Sequence, residues 1–254
     1  MSCPMLITRG LIAVAATLVV CLLPLTFPPD GGPSALDRAF AGPVAAGGPS
    51  ALDRVLVAPS DAPLVLAALI AAVVWLAGRG RVLAAVTMAV TPELALLVDT
   101  VLLKPLFDRP LAGYLAYPSG HTVHLVAVVC AFVLLCPVRR AGLVVGVLGA
   151  VALVAVAFGQ VGMGYHHLTD VLGGAAAAVA ITVVCCTAVQ IARPGHQRPG
   201  GGGGAPAGAP AGGGGGGGGR GFSSPPPGGG PPPPPPSSCL TGMVCSPVTW
   251  RRAG

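Results

Sequence analysis

The chain has 254 residues, 53% of them hydrophobic and 9% charged, with a formal net charge of +6. A soluble domain carries roughly 25% charged residues, so this composition has too few polar groups to cover a surface in water. Its apolar runs approach or exceed the roughly 20 residues that span a bilayer, which points to an integral membrane protein. The positive charge does not indicate nucleic acid, because the arginines stand in short runs between apolar segments and in the tail, where they report topology.

The first apolar run, Gly10 to Phe27, follows Arg9. Ala39-Phe40-Ala41 imitates a signal-peptide cleavage site but lies too far beyond the apolar region, so an uncleaved first helix is expected. Between Pro28 and Asp61 the octapeptide GGPSALDR occurs twice, at 31–38 and 47–54. It is too short and isolated for a solenoid and is read as a local duplication in a surface loop. Five further apolar segments follow: Ala62 to Gly78, Val82 to Leu103, Thr122 to Val138, Ala141 to about Gly162, and Val171 to Ala192. About six membrane helices result, an all-α polytopic bundle.

Arg9, Arg79/Arg81, Arg139/Arg140 and Arg193 fall on one side of a six-helix zigzag, which the positive-inside rule makes cytoplasmic. The loops at 28–61, 104–121 and 163–170 then face outward in a multi-pass protein of the cell membrane. From Pro194 the chain is dominated by glycine and proline, a composition that cannot offset its ordering entropy, so residues 194–254 are expected to form a disordered cytoplasmic tail. Cys21, Cys130, Cys136, Cys185 and Cys186 lie in apolar segments as small hydrophobes. Cys239 and Cys245 have no CxxC spacing. The expected organisation is a first helix and loop (1–61), a catalytic membrane domain (62–193) and the tail.

Chemistry-bearing residues gather in two outward loops: Lys104, Arg109, Ser119 and His121 in one, His166, His167 and Asp170 in the other. Ionisable groups at a membrane boundary are costly and mark a functional site. His166 and Asp170, four residues apart at the entrance to the sixth helix, are expected on one helical face, where a carboxylate accepting one imidazole N–H makes the other nitrogen basic and nucleophilic. Pro118-Ser119-Gly120-His121-Thr122 opens the fourth helix, whose N-terminal N–H groups form an anion site, and His121 can act as general acid. Lys104 and Arg109 are candidate clamps on phosphate oxygens.

In these blocks the sequence resembles the type-2 phosphatidic acid phosphatases and their relatives, the vanadium haloperoxidases and glucose-6-phosphatases. That family carries K-x6-R-P, then P-S-G-H, then S-R-x5-H-x3-D. Tyr117-Pro118-Ser119-Gly120-His121 matches the second block completely, and Gly159 to Asp170 matches the third at its histidine and aspartate. The resemblance covers roughly residues 60–192. It implies that His166 forms a phosphohistidine, Asp170 orients it, His121 is the general acid, and Ser119, Gly120 and Lys104 bind phosphate, without a metal or other cofactor. Its substrates would be lipid phosphates in the bilayer: phosphatidic acid, phosphatidylglycerol phosphate, or polyprenyl phosphates and diphosphates.

The departures lie among the cations. Leu111 stands where the first block has its arginine, with Arg109-Pro110 two positions early, and Gly159-Gln160 replaces the Ser-Arg pair of the third block. Arg109 and Gln160 are therefore expected as substitute phosphate ligands, and losing a charged oxyanion donor costs on the order of 3 kcal/mol in the transition state. A non-catalytic relative that binds lipid phosphates or serves as a scaffold is the alternative. A zinc site could be drawn from His121, His124, His166, His167 and Asp170, but Ser119-Gly120 has no purpose there. Glu93 and Asp99, with Pro92, could suggest a transporter's proton relay; the simpler expectation is that Asp99 pairs with Lys104 or another polar group of the site and that Glu93 bonds between helices.

Overall fold

A computed structural model describes residues 3–45 and 48–192. The expected disordered tail, with Arg193, His196, Cys239 and Cys245, lies outside the described residues.

The described chain is an all-helical bundle. Its helices are α1 (Cys3–Leu22), α2 (Ala35–Ala45), α3 (Ala51–Val57), α4 (Ala62–Gly78), α5 (Val82–Val98), α6 (Lys104–Phe107), α7 (Gly120–Leu135), α8 (Arg139–Gly162) and α9 (Leu168–Ile191). Five stretches are long and apolar enough to cross a membrane: Cys3–Thr26, Ala51–Gly78, Val82–Phe107, Arg139–Gly162 and Leu168–Ile191. The remaining apolar helix, α7, has 16 residues, about 24 Å at roughly 1.5 Å per residue.

That short helix is the centre of the bundle, packed against α4, α5, α8 and α9. One face meets Leu69 and Leu76 of α4 and Met88 of α5 through Leu125, Val128 and Leu135. Another meets Ala95 of α5 and Ala177 and Ala178 of α9 through Val123 and Ala127. By contrast α8 turns Leu143, Val147, Val151 and Val154 outward, an apolar stripe that suits lipid and not water. Pro92 lies inside α5 without ending it.

Two local expectations are corrected. Residues 28–61 are not a surface loop: they hold α2 and α3, and each copy of the octapeptide starts one of them by the same device. Ser34 Oγ accepts from Asp37 N (3.1 Å) while Asp37 Oδ2 accepts from Ser34 N (2.9 Å). Ser50 and Asp53 repeat this at 3.1 and 2.9 Å. These are reciprocal capping boxes, which satisfy two orphan backbone donors at a helix start. Asp37 then docks on the start of α9, its Oδ1 accepting from Thr169 N at 2.8 Å. Asp53 packs so closely on the end of α8 that a Cβ on Gly162 would stand 2.4 Å from its carboxylate oxygen.

The second correction concerns His166, which lies before α9 and outside any helix, so it and Asp170 do not share a helical face. The structure also adds a minimal hairpin, Pro110–Leu111 paired antiparallel with Tyr114–Leu115. Its two turn residues, Ala112 and Gly113, both have positive φ, 47° and 91°, as a two-residue turn matched to strand twist requires.

Arg9 and Arg81 stand at the end of the bundle opposite His121 and His166. Arg81 donates to Leu135 O at the C-terminus of α7 (2.8 Å), and Arg9 to Gln190 near the C-terminus of α9 (2.8 Å). His121 and Asp170 stand in the first turns of those same two helices.

Candidate active site

At the histidine end a cavity of about 330 Å³ is lined by Ser60, Ala62, Leu96, Lys104, Tyr114, Gly120, His121, His124 and His166. Four expected site residues therefore meet at one cavity: Lys104, Gly120, His121 and His166. The His121 and His166 rings are 6.2 Å apart between centroids in an edge-on arrangement, and Tyr114 stands edge-on to His166 at 5.9 Å.

Lys104 reaches the cavity because of a helix irregularity. Between α5 and α6 the chain makes a π-turn, Asp99–Leu103, in which Lys104 N–H bonds to Asp99 O. Such an insertion is frequent at functional sites. Lys104 Nζ donates to Leu115 O and Pro118 O, both at 2.9 Å, leaving one of the three ammonium donors. Asp99 does not pair with it: the carboxylate is fully buried and both its oxygens lack a hydrogen-bond partner.

His166 is held by the turn between α8 and α9. It is 6% exposed, and its Nδ1 lies 3.8 Å from Asp170 Oδ2, too far for a hydrogen bond, and has no partner. Asp170 is engaged elsewhere. As the third residue of α9 it accepts from His167 N through Oδ2 (2.8 Å), and Oδ1 accepts from Arg109 (2.7 Å). Backbone also joins the two motif blocks, Ser119 N donating to Asp170 O at 3.0 Å. That approach requires glycine in α9, since a Cβ on Gly174 would lie 2.6 Å from Ser119 O. Burial pushes the His167 imidazole below its ordinary pKa.

Ser119, Gln160 and Arg109 stand away from the cavity wall. Ser119 Oγ donates to Gln160 Oε1 at 2.8 Å, Thr122 donates to Ser119 at 3.2 Å, and Ser119 and Gln160 are fully buried. Arg109 is 1% exposed. Its Nε donates to Gly31 O (3.1 Å), Nη1 to Thr169 Oγ1 and Asp170 Oδ1 (2.7 Å each), and Nη2 to Gly32 O (2.8 Å) and Asp37 Oδ2 (3.1 Å). Its guanidinium also lies 3.8 Å over the Phe27 ring. A guanidinium has five N–H donors, and all five are taken, so the expectation that Arg109 clamps a phosphate has no donor left to carry it.

The residues that hold Arg109 were not anticipated. Burial raises the Asp37 carboxyl, but hydrogen bonds from Thr169, Ser34 and Arg109 outweigh it and hold the group below its ordinary range. The S-x-x-D spacing in GGPSALDR was the visible signal for this buried helix start. Tyr114 carried no motif. His124, 8% exposed, lies one turn after His121, and its Nε2 is 3.1 Å from Glu93 Oε1 on α5, the interhelical bond expected of Glu93.

Fold and cavity together define a polytopic helical membrane protein with a cationic, histidine-lined pocket at one end of its bundle. The family model of the PAP2 superfamily matches residues 98–194, the superfamily that the motifs resemble. No curated protein and no solved structure matches the chain.

Proposed function

We propose that this protein hydrolyses a lipid phosphate or diphosphate monoester through a phosphohistidine on His166, at the outer face of the membrane. The observation that carries the reading is the convergence of His166, His121 and Lys104 on one cavity. Nδ1 of His166 faces Asp170, which leaves Nε2 as the nucleophile. In the first half, Nε2 bonds to phosphorus, the bond to the lipid oxygen breaks, and His121 gives its proton to that oxygen. In the second, water bonds to phosphorus, the phosphorus–nitrogen bond breaks, and His121 takes the water proton back. Lys104 and the N–H groups opening α7 oppose the charge on the phosphoryl oxygens. A shift of under about 1 Å brings Nδ1 into bonding range of Asp170, and such tightening on substrate binding is common in catalytic sites.

Support for a lipid comes from a second cavity of about 520 Å³, lined by apolar side chains of α4, α7 and α8, among them Leu64, Ala68, Trp75, Leu125 and Phe132. It adjoins the first: Pro59 and Leu125 line it where their neighbours Ser60 and His124 line the histidine cavity. Support for an outward site comes from Arg9 and Arg81 at the other end of the bundle. The sequestered Arg109 and the neutral Gln160 favour a second reading, a relative that binds lipid phosphates and turns them over slowly or not at all.

The test uses purified protein in detergent, offered phosphatidic acid, phosphatidylglycerol phosphate and a polyprenyl diphosphate with chelator present, beside His166→Ala. Phosphate release that survives chelation and disappears in the variant supports the enzyme. Release from none of the three would sink it in favour of the binding protein, and release abolished by chelation would mean metal chemistry. A cysteine introduced near Tyr165 should react with an impermeant label in intact cells; protection would contradict the outward orientation.

A further inference from the structure

The cavity poses a charge problem. A phosphate dianion is ordinarily held by guanidinium groups, but every donor of Arg109 is occupied and Gln160 is neutral and paired with Ser119. Lys104 gives two of its donors to carbonyls. Among the described residues that line the cavity, His124 is the one polar side chain without a role in the steps above, apart from Ser60 and Tyr114, which carry no charge.

We propose that His124 is a phosphate-binding residue of this cavity, held by Glu93, and supplies as an imidazolium the cationic donor that Arg109 and Gln160 do not. This rests on the phosphate-site reading above. His121 and His124 are three residues apart on α7 and so share a face, and both line the cavity. Nε2 of His124 is 3.1 Å from Glu93 Oε1. A neutral ring donating that N–H to Glu93 would present a lone pair at Nδ1, which repels a phosphate oxygen. The imidazolium donates from both nitrogens, one to Glu93 and one to phosphate. The other charged or titratable groups lining the cavity are His121 on the same helix, Lys104 after the π-turn, and His166 before α9. Glu93 is half-exposed and lies on α5, across from His124 on α7.

The experiment measures the rise in unfolding temperature of the full chain in detergent as inorganic phosphate is added, which reports binding without turnover. His124→Gln should weaken phosphate binding about tenfold, the loss of one charge-assisted hydrogen bond, and His124→Lys should recover it to within about threefold. Glu93→Gln, which leaves the imidazole in place, should weaken binding less than His124→Gln. Wild-type affinity in His124→Gln would overturn the proposal. So would equal weakness of His124→Lys and His124→Gln, because charge would then not be what the site needs. A wild-type chain that binds no phosphate would overturn it together with the site reading. Absent hydrolysis with the His124 pattern intact would sink the enzyme reading and support this one.

Discussion

Replacing Arg109 by lysine separates two roles that the sequence alone leaves joined. As a phosphate clamp, Arg109 would tolerate lysine with weaker substrate binding and unchanged stability. In the structure, the guanidinium instead ties Gly31, Gly32, Asp37, Thr169 and Asp170 together in a buried site and stacks on Phe27. Lysine has three donors on one atom and cannot reach five acceptors around a planar fork. At least one of the Asp37 and Asp170 carboxylates, 1% and 0% exposed, is then left buried without its partner. Removing one partner of a buried ion pair costs about 3–5 kcal/mol, against a total stability of about 5–15 kcal/mol for a typical domain. Thermal unfolding of Arg109→Lys in detergent should therefore show a large loss of stability. A variant that unfolds at the wild-type temperature but no longer binds phosphate would refute the reasoning and restore the clamp.

Three further outcomes follow from the packing. Gly173→Ala would place a Cβ 2.2 Å from the ring of the buried Tyr117, and overpacking of this kind costs about 1–3 kcal/mol, readable as a lowered unfolding midpoint. Asp37 has its carboxyl held below its ordinary range, so it binds a proton more readily unfolded than folded; its stabilisation is complete above the unfolded pKa of about 3.9 and is lost as pH falls through the lower folded value. Asp37→Asn should flatten that acid limb in a pH series of unfolding midpoints, and an unchanged limb would mean another group controls it. Ala68→Trp, which fills the apolar cavity, should raise KM for a long-chain lipid phosphate and leave a short-chain ester unaffected; equal effects on both would mean that the cavity takes no chain.

The apolar segments were legible because a bilayer demands runs of a set length, and the helices of the bundle fall on them. Pro118 to His121 was legible because a motif opening a helix places its residues by local geometry. Arg109 was misread for a reason that no spacing reveals: its acceptors come from residues 31, 32, 37, 169 and 170, brought together by the fold. The glycines and prolines of 28–61 suggested a loop, although Ser34 and Asp37 carried a cap signature in plain view. His166 and Asp170 looked like a helical pair because their spacing is four, but α9 begins between them at Leu168, a boundary that spacing does not fix.

The duplicated octapeptide has a consequence for how the protein is made. Asp37 meets Thr169 across 132 positions of chain, and Arg109 waits on acceptors from both sides of it in sequence. During synthesis the first copy is in place long before its partner at the start of α9 exists. Until that last helix is made, Arg109 lacks its acceptors on Thr169 and Asp170, and Asp37 lacks the Thr169 N–H. The helix that supplies Thr169 and Asp170 is thus the last to be made, and an interrupted chain ending before α9 keeps Lys104, His121 and His166 but lacks the Asp170 carboxylate that His166 Nδ1 faces.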